Sequence, residues 1–145
     1  MLNSRNGNKG QGEGRAVSVS RDGGKTFDGF YVDPALIEPG CQGSILYHSM
    51  NAETGKANIV FSNPADGQER VKGTVKLSVD DGKTRTKHFR YSEPAPRYSG
   101  YSDMAVFGNG DIAVLYEKGD RYTKKERYKG IGFRSISFSD IKRSE

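Results

Sequence analysis

The pattern Ser-x-Asp-x-Gly-x-Thr occurs twice in this chain, as Ser20-x-Asp22-x-Gly24-x-Thr26 closed by Phe27, and as Ser78-x-Asp80-x-Gly82-x-Thr84 followed by Arg85. The copies start 58 residues apart (78 minus 20). Each follows an alternating run, Arg15-Ala16-Val17-Ser18-Val19-Ser20 and Thr74-Val75-Lys76-Leu77-Ser78-Val79, the signature of a strand with one face buried. Inside the pattern, Asp and Ser side chains bond the backbone of their own turn, glycine takes a conformation other residues avoid, and a closing aromatic tucks beneath. The repeat therefore dictates strand, stapled turn and return strand, twice over. The second copy has Arg85 in place of the aromatic, in a chain with no Trp, and is expected to pack less well.

The rest of the chain reads in the same idiom. Residues 6–14 are a Gly-rich loop, and 31–43, with Pro34, Pro39, Gly40 and Gly43, a connection. A hairpin follows, Ser44–His48 and Ala57–Ser62 around a polar turn, then a loop from Asn63-Pro64 to Gly67. Phe89-Arg90-Tyr91 is a short strand stopped at Pro94-Ala95-Pro96. Met104, Val106 and Ile112, Val114 flank the turn Gly108-Asn109-Gly110-Asp111, which supplies the positive-φ positions of a tight hairpin. Tyr101 stands just before the first of these strands and Glu117 at the end of the second, so a phenol and a carboxylate arrive at one rim. Ile131 to Phe138 alternates strictly and reads as a last strand. With 19 glycines and 33% hydrophobic residues, many short strands joined by turns suit this composition better than helices, and the class is all-β.

Charge and chemistry narrow the function. A net charge of +5 admits an acidic partner, either nucleic acid or an anionic sugar. A solvated surface is the favoured reading, because Lys124, Lys125, Arg127 and Lys129 are mixed with Glu126 and no nucleic-acid-binding signature accompanies them. The single Cys41 excludes an internal disulfide, and His48 and His88 lack the spacing of a zinc site. No cofactor or metal is expected. The first residues carry no apolar leader, and no run is long enough to span a membrane; the compartment is left open.

Taken together, Gly100-Tyr101-Ser102-Asp103, Gly108-Asn109-Gly110-Asp111 and Leu115-Tyr116-Glu117, with the two repeats, resemble the sialidases (exo-α-neuraminidases), where the repeat is the Asp box of a six-bladed β-propeller. The resemblance implies an all-β partial six-bladed propeller, with residues 1–145 as the C-terminal fragment of a catalytic domain whose N-terminal blades are its missing partners. It implies release of terminal α-linked sialic acid from sialylated glycoconjugates. Tyr101 would be the nucleophile and Glu117 would orient an arginine. Arg5, in Leu2-Asn3-Ser4-Arg5, and Arg70, after Phe61-Ser62-Asn63-Pro64, would be two of the three arginines that grip the sugar's carboxylate, since guanidinium presents paired donors in a plane.

A phenol with a pKa near 10 needs a carboxylate to take its proton, and a neutral tyrosine approaches an anionic sugar without the repulsion a second carboxylate would meet. The first arginine, the acid/base aspartate and the activating glutamate of the family precede the equivalent of Leu2, so little turnover is expected of this chain alone. Cys41-Gln42-Gly43-Ser44 resembles a family segment read as structural. The alternative class is a non-catalytic Asp-box propeller that binds sugar or protein; it has no reason to keep Arg70, Tyr101 and Glu117 in register.

Overall fold

The computed structural model describes residues 1–6, 14–94, 97–120 and 127–144. The expected features at residues 7–13, at Ala95-Pro96 and at Lys124, Lys125 and Glu126 fall outside them. Among the described residues the chain is a succession of antiparallel meanders. The first sheet holds β1 (Leu2–Ser4), β2 (Arg15–Ser18) and β3 (Tyr31–Asp33); the second β4 (Ser44–Met50), β5 (Ala57–Pro64), β6 (Gly73–Ser78) and β7 (Lys87–Arg90). The third holds β8 (Ser99–Val106), β9 (Ile112–Lys118) and β10 (Gly130–Ile136), and a short helix α1 (Phe138–Arg143) follows.

The second sheet is the middle layer. Along β5, Val60 joins a core with Val75, Leu77, Tyr91, Ile112, Val114, Tyr116, Ile136 and Ile141, while its neighbour Phe61 turns the other way to meet Val17 and Leu36. Successive strand residues point to opposite faces, so β5 and β6 feed two cores at once. All six residues of β6 are buried.

Both repeat turns close as their chemistry dictates. Asp22 Oδ1 accepts from the Lys25 and Thr26 backbones at 3.0 and 2.9 Å, and Ser20 Oγ accepts from Gly24 N at 2.8 Å. The second copy repeats this, with Lys83 and Thr84 donating to Asp80 Oδ1 at 3.1 and 2.9 Å and Gly82 N to Ser78 Oγ at 2.8 Å. The expectation of a looser second copy is reversed. In the first, Phe27 is 43% exposed. In the second, the Arg85 side chain is only 3% exposed and pairs with Asp33 at the end of β3, while Gly82 abuts Met1 and Ile59. An arginine here reaches farther than an aromatic ring and ties the middle sheet to the first.

Other boundaries differ from the sequence reading. Residues 31–33, read as part of a connection, and residues 2–4, assigned no element, form strands because β2 offers both edges for pairing. Tyr101 lies inside β8 rather than ahead of it. The last strand stops at Ile136; from Phe138 the chain coils, with Asp140 in the first turn and Lys142 and Arg143 in the last matching the helix dipole. The helix buries Ile141 in the larger core and packs on β6 and β7.

Candidate active site

The site is built at a break in the β8–β9 ladder. The hairpin pairs Val106 with Ile112 and continues regularly to Ser102 opposite Tyr116, then slips before Ser99 opposite Lys118. Gly100 and Tyr101 are the residues left over. Such a bulge bends the strand and re-aims a side chain, and Tyr101 turns its ring 41% into solvent.

Glu117, on β9 across from the bulge, fills the gap. Its Oε2 accepts the Tyr101 backbone N–H at 3.1 Å and the Tyr98 hydroxyl at 3.4 Å. A Cβ on residue 100 would collide with that oxygen and with the Tyr98 hydroxyl, so glycine is required by close approach rather than by its φ.

Arg70 arrives from the loop between β5 and β6. Asp66 shapes that loop by accepting from the backbones of Gln68 and Glu69 and from Lys72 Nζ, at 3.0, 3.0 and 2.8 Å. The Arg70 carbonyl then accepts Ser99 N–H at 2.8 Å, which fixes the loop to the start of β8. The guanidinium lies 5.2 Å from the Tyr101 ring centroid, and its Nη1 donates to the Tyr98 hydroxyl at 3.4 Å. Arg70, Tyr98, Glu117 and Tyr101 thus form a closed circuit of contacts. Burial raises the pKa of Tyr98, against the pull of Arg70, so the phenol keeps its proton and donates.

The connection after β3 supports the circuit from below. Gln42 clamps Ser102 through both backbone groups: its Nε2 donates to Ser102 O at 3.1 Å and its Oε1 accepts Ser102 N–H at 3.0 Å. Ser62 and Ser102 share a buried hydroxyl contact of 2.7 Å, and Ser44 donates to Asp103 at 2.8 Å. This connection is held in turn by a buried ion pair, Arg15 to Glu38 at 2.9 Å; the same Arg15 Nη1 donates to Cys41 O at 2.6 Å. Burial pushes the Cys41 thiol up to about 11, which suits a packing role.

Of the four residues singled out from sequence, the fold brings Arg70, Tyr101 and Glu117 together. Arg5 stands beside the supporting connection, donating to Gly40 O at 3.1 Å, two residues before Gln42. Sequence reasoning gave Tyr98 no chemistry, although it bridges the site, and took Gln42 only as part of a structural segment. Nothing local marks either residue, because each acts on a strand distant in sequence. Among the described residues no group of three His, Cys, Asp or Glu is placed to hold a metal, and no helix is long and apolar enough to cross a membrane.

Comparison with known proteins points one way. The chain is 34% identical over 110 residues to a sialidase of Micromonospora viridifaciens, covering 72% of this chain and 16% of that protein. It is 31% identical over 130 residues to an exo-alpha-sialidase of Aspergillus fumigatus, covering 85% of this chain and 31% of that protein. In structure it matches the Hadza microbial sialidase Hz136 with a TM-score of 0.73 at 27% identity, over 96% of this chain and 25% of that one. It matches the NanB sialidase of Streptococcus pneumoniae with a TM-score of 0.77 at 21% identity, over 90% and 21%. No protein-family profile matches the chain. Sequence and fold place it in the glycoside hydrolase class. Within that class the shared family is the sialidases, of whose curated relatives cited here the chain spans 16 to 31%.

Proposed function

We propose that this chain is a portion of a six-bladed exo-α-sialidase propeller that supplies the nucleophile and part of the carboxylate grip for hydrolysis of terminal α-linked sialic acid. The observation that carries the reading is the Arg70 guanidinium 5.2 Å from the Tyr101 ring, which sets a carboxylate-binding group and a phenol within the span of one sugar ring. Arg5 and Arg70 hold the sugar's carboxylate. The Tyr101 oxygen bonds the anomeric carbon as the glycosidic C–O bond breaks, giving a tyrosyl glycoside that water then hydrolyses, with net retention. The phenol proton and the proton for the leaving oxygen pass through carboxyl groups of the remaining blades, and Glu117 positions its neighbours.

Binding tests the reading without requiring turnover. Titration of the chain with a sialic acid methyl glycoside should give saturable binding that falls about tenfold or more in Arg70→Gln, the loss expected for a charge-assisted pair. The methyl ester of the same glycoside, which lacks the negative charge, should bind as weakly. Equal binding of acid and ester would sink the proposal.

A further inference from the structure

We propose that the groove between the connection after β3 and the face of β6 and β7 binds a doubly charged tetrahedral oxyanion, an inorganic phosphate or sulfate ion or a phosphate monoester. The groove has a volume of about 550 Å³ and runs from Ala35 across β6 and the edge strand β7, past Lys72, Lys76, Arg85, His88 and Arg90. It is distinct from the Arg70–Tyr101 site and does not depend on the sialidase reading.

The strand register concentrates cations there. Lys76 on β6 lies directly opposite His88 on β7, and Thr74 directly opposite Arg90, so alternate residues of both strands direct Lys76, His88 and Arg90 to one face. The available carboxylates are already engaged, Asp33 with Arg85 and Asp66 with Lys72. At pH 7 the four cations Lys72, Lys76, Arg85 and Arg90, set against the two carboxylates Asp33 and Asp66, leave an excess of two positive charges at the groove, matched by a dianion.

Lys76 adds the second line of argument. It is 8% exposed, and its Nζ donates to Ala35 O, a neutral partner, at 2.5 Å. Burial pulls its pKa down to about 8, against the field of Asp33. An ammonium held this way has donors to spare and gains from an anion what it lost in desolvation. His88, Arg90 and Lys72 stand exposed at the mouth, where Arg90 also donates to Glu93 O at 2.9 Å.

The test is titration of the chain with sodium phosphate, sodium sulfate and glucose 6-phosphate, against sodium chloride at matched ionic strength, followed by calorimetry and thermal midpoint. Phosphate and sulfate should bind saturably where chloride does not. The double variant His88→Gln with Arg90→Gln, both at exposed positions and checked for fold by circular dichroism, should weaken binding about tenfold or more. Midpoints that rise equally in phosphate and chloride, or a double variant that binds as the parent does, would overturn the site. Glucose 6-phosphate binding at least about tenfold more tightly than phosphate would assign the oxyanion to a phosphorylated sugar, and equal affinities would assign it to the free ion.

Discussion

The Tyr98 hydroxyl stands 3.4 Å from a carboxylate oxygen of Glu117 and 3.4 Å from Arg70 Nη1, bridging an acid on β9 and a base on the loop before β6. With the ring 1% exposed and edge-on to Tyr128 at 5.2 Å, its hydroxyl has little solvent to turn to. Tyr98→Phe should cost about 1 kcal/mol of stability and loosen Arg70, weakening the sialic acid glycoside roughly three- to tenfold by the same loss. Denaturant melts and titration check this; unchanged affinity would reduce Tyr98 to packing.

Gly100→Ala drives a methyl into the Glu117 carboxylate and the Tyr98 hydroxyl. The strand can yield only by moving Glu117 off the Tyr101 N–H, so a stability loss of about 1–3 kcal/mol is expected, with glycoside binding lost and circular dichroism retained. Parent-like binding in this variant would show that the bulge tolerates a side chain.

Restoring the aromatic of the second repeat should harm the protein. Arg85→Phe strands the Asp33 carboxylate, whose side chain is 10% exposed, and removal of one partner of a buried pair costs about 3 kcal/mol or more. A chemical melt decides it: a variant as stable as the parent would mean that ring packing replaces the ion pair in full.

Both repeat aspartates lose protons early. Bonds from the Thr26 hydroxyl, the Thr26 backbone and the Ser20 hydroxyl hold Asp22 down to about 2. For Asp80, slight burial works upward but the Thr84 backbone and the Ser78 and Thr84 hydroxyls bring it to about 2 as well. Folded values below the unfolded 3.8 mean a contribution present in full above about pH 4 and lost as pH falls towards 2. The thermal midpoint should drop across that window, and less so in Asp22→Asn with Asp80→Asn. Parallel curves for parent and variant would show that other groups dominate.

Lys76 predicts a second rise of stability with pH, at the alkaline end. Its folded pKa of about 8 lies below the model-compound 10.5, so the cost of the buried charge is full below pH 8 and relieved as pH rises towards 10.5. Lys76→Met should therefore stabilise the chain at pH 7, by about 1–2 kcal/mol after the loss of the Ala35 bond. That advantage should shrink at alkaline pH, and phosphate affinity should fall. A destabilised variant at pH 7 would mean that the ammonium is better solvated than its burial implies.

The parts of this fold that were legible in the sequence are those written locally. The repeat turns are closed by side chains within four residues of each other, and the β8–β9 hairpin by its own Gly-Asn-Gly-Asp turn, so pattern and structure agree. Strands β1 and β3 were not legible because three residues carry no period, and their pairing depends on β2. Helix α1 was hidden because Ile136 and Phe138 continue the strand's alternation, while the burial of Ile141 against β6 and β7 decides the helix. The grouping of Arg70, Tyr101 and Glu117 followed from motif likeness; Tyr98 and Gln42 act across gaps of 19 to 60 residues, where short-range pattern is silent.

The grip of Gln42 on Ser102 also makes one proton a reporter. Strand β8 is the outer strand of its sheet, and an outward-facing amide there would ordinarily trade its hydrogen with water whenever the edge breathes. The Ser102 N–H is instead tied to a side chain of the connection that leads into the middle sheet. Its deuterium exchange rate therefore measures how often the two sheets part, and binding at the Tyr101 rim should be visible as a slowing at that single amide.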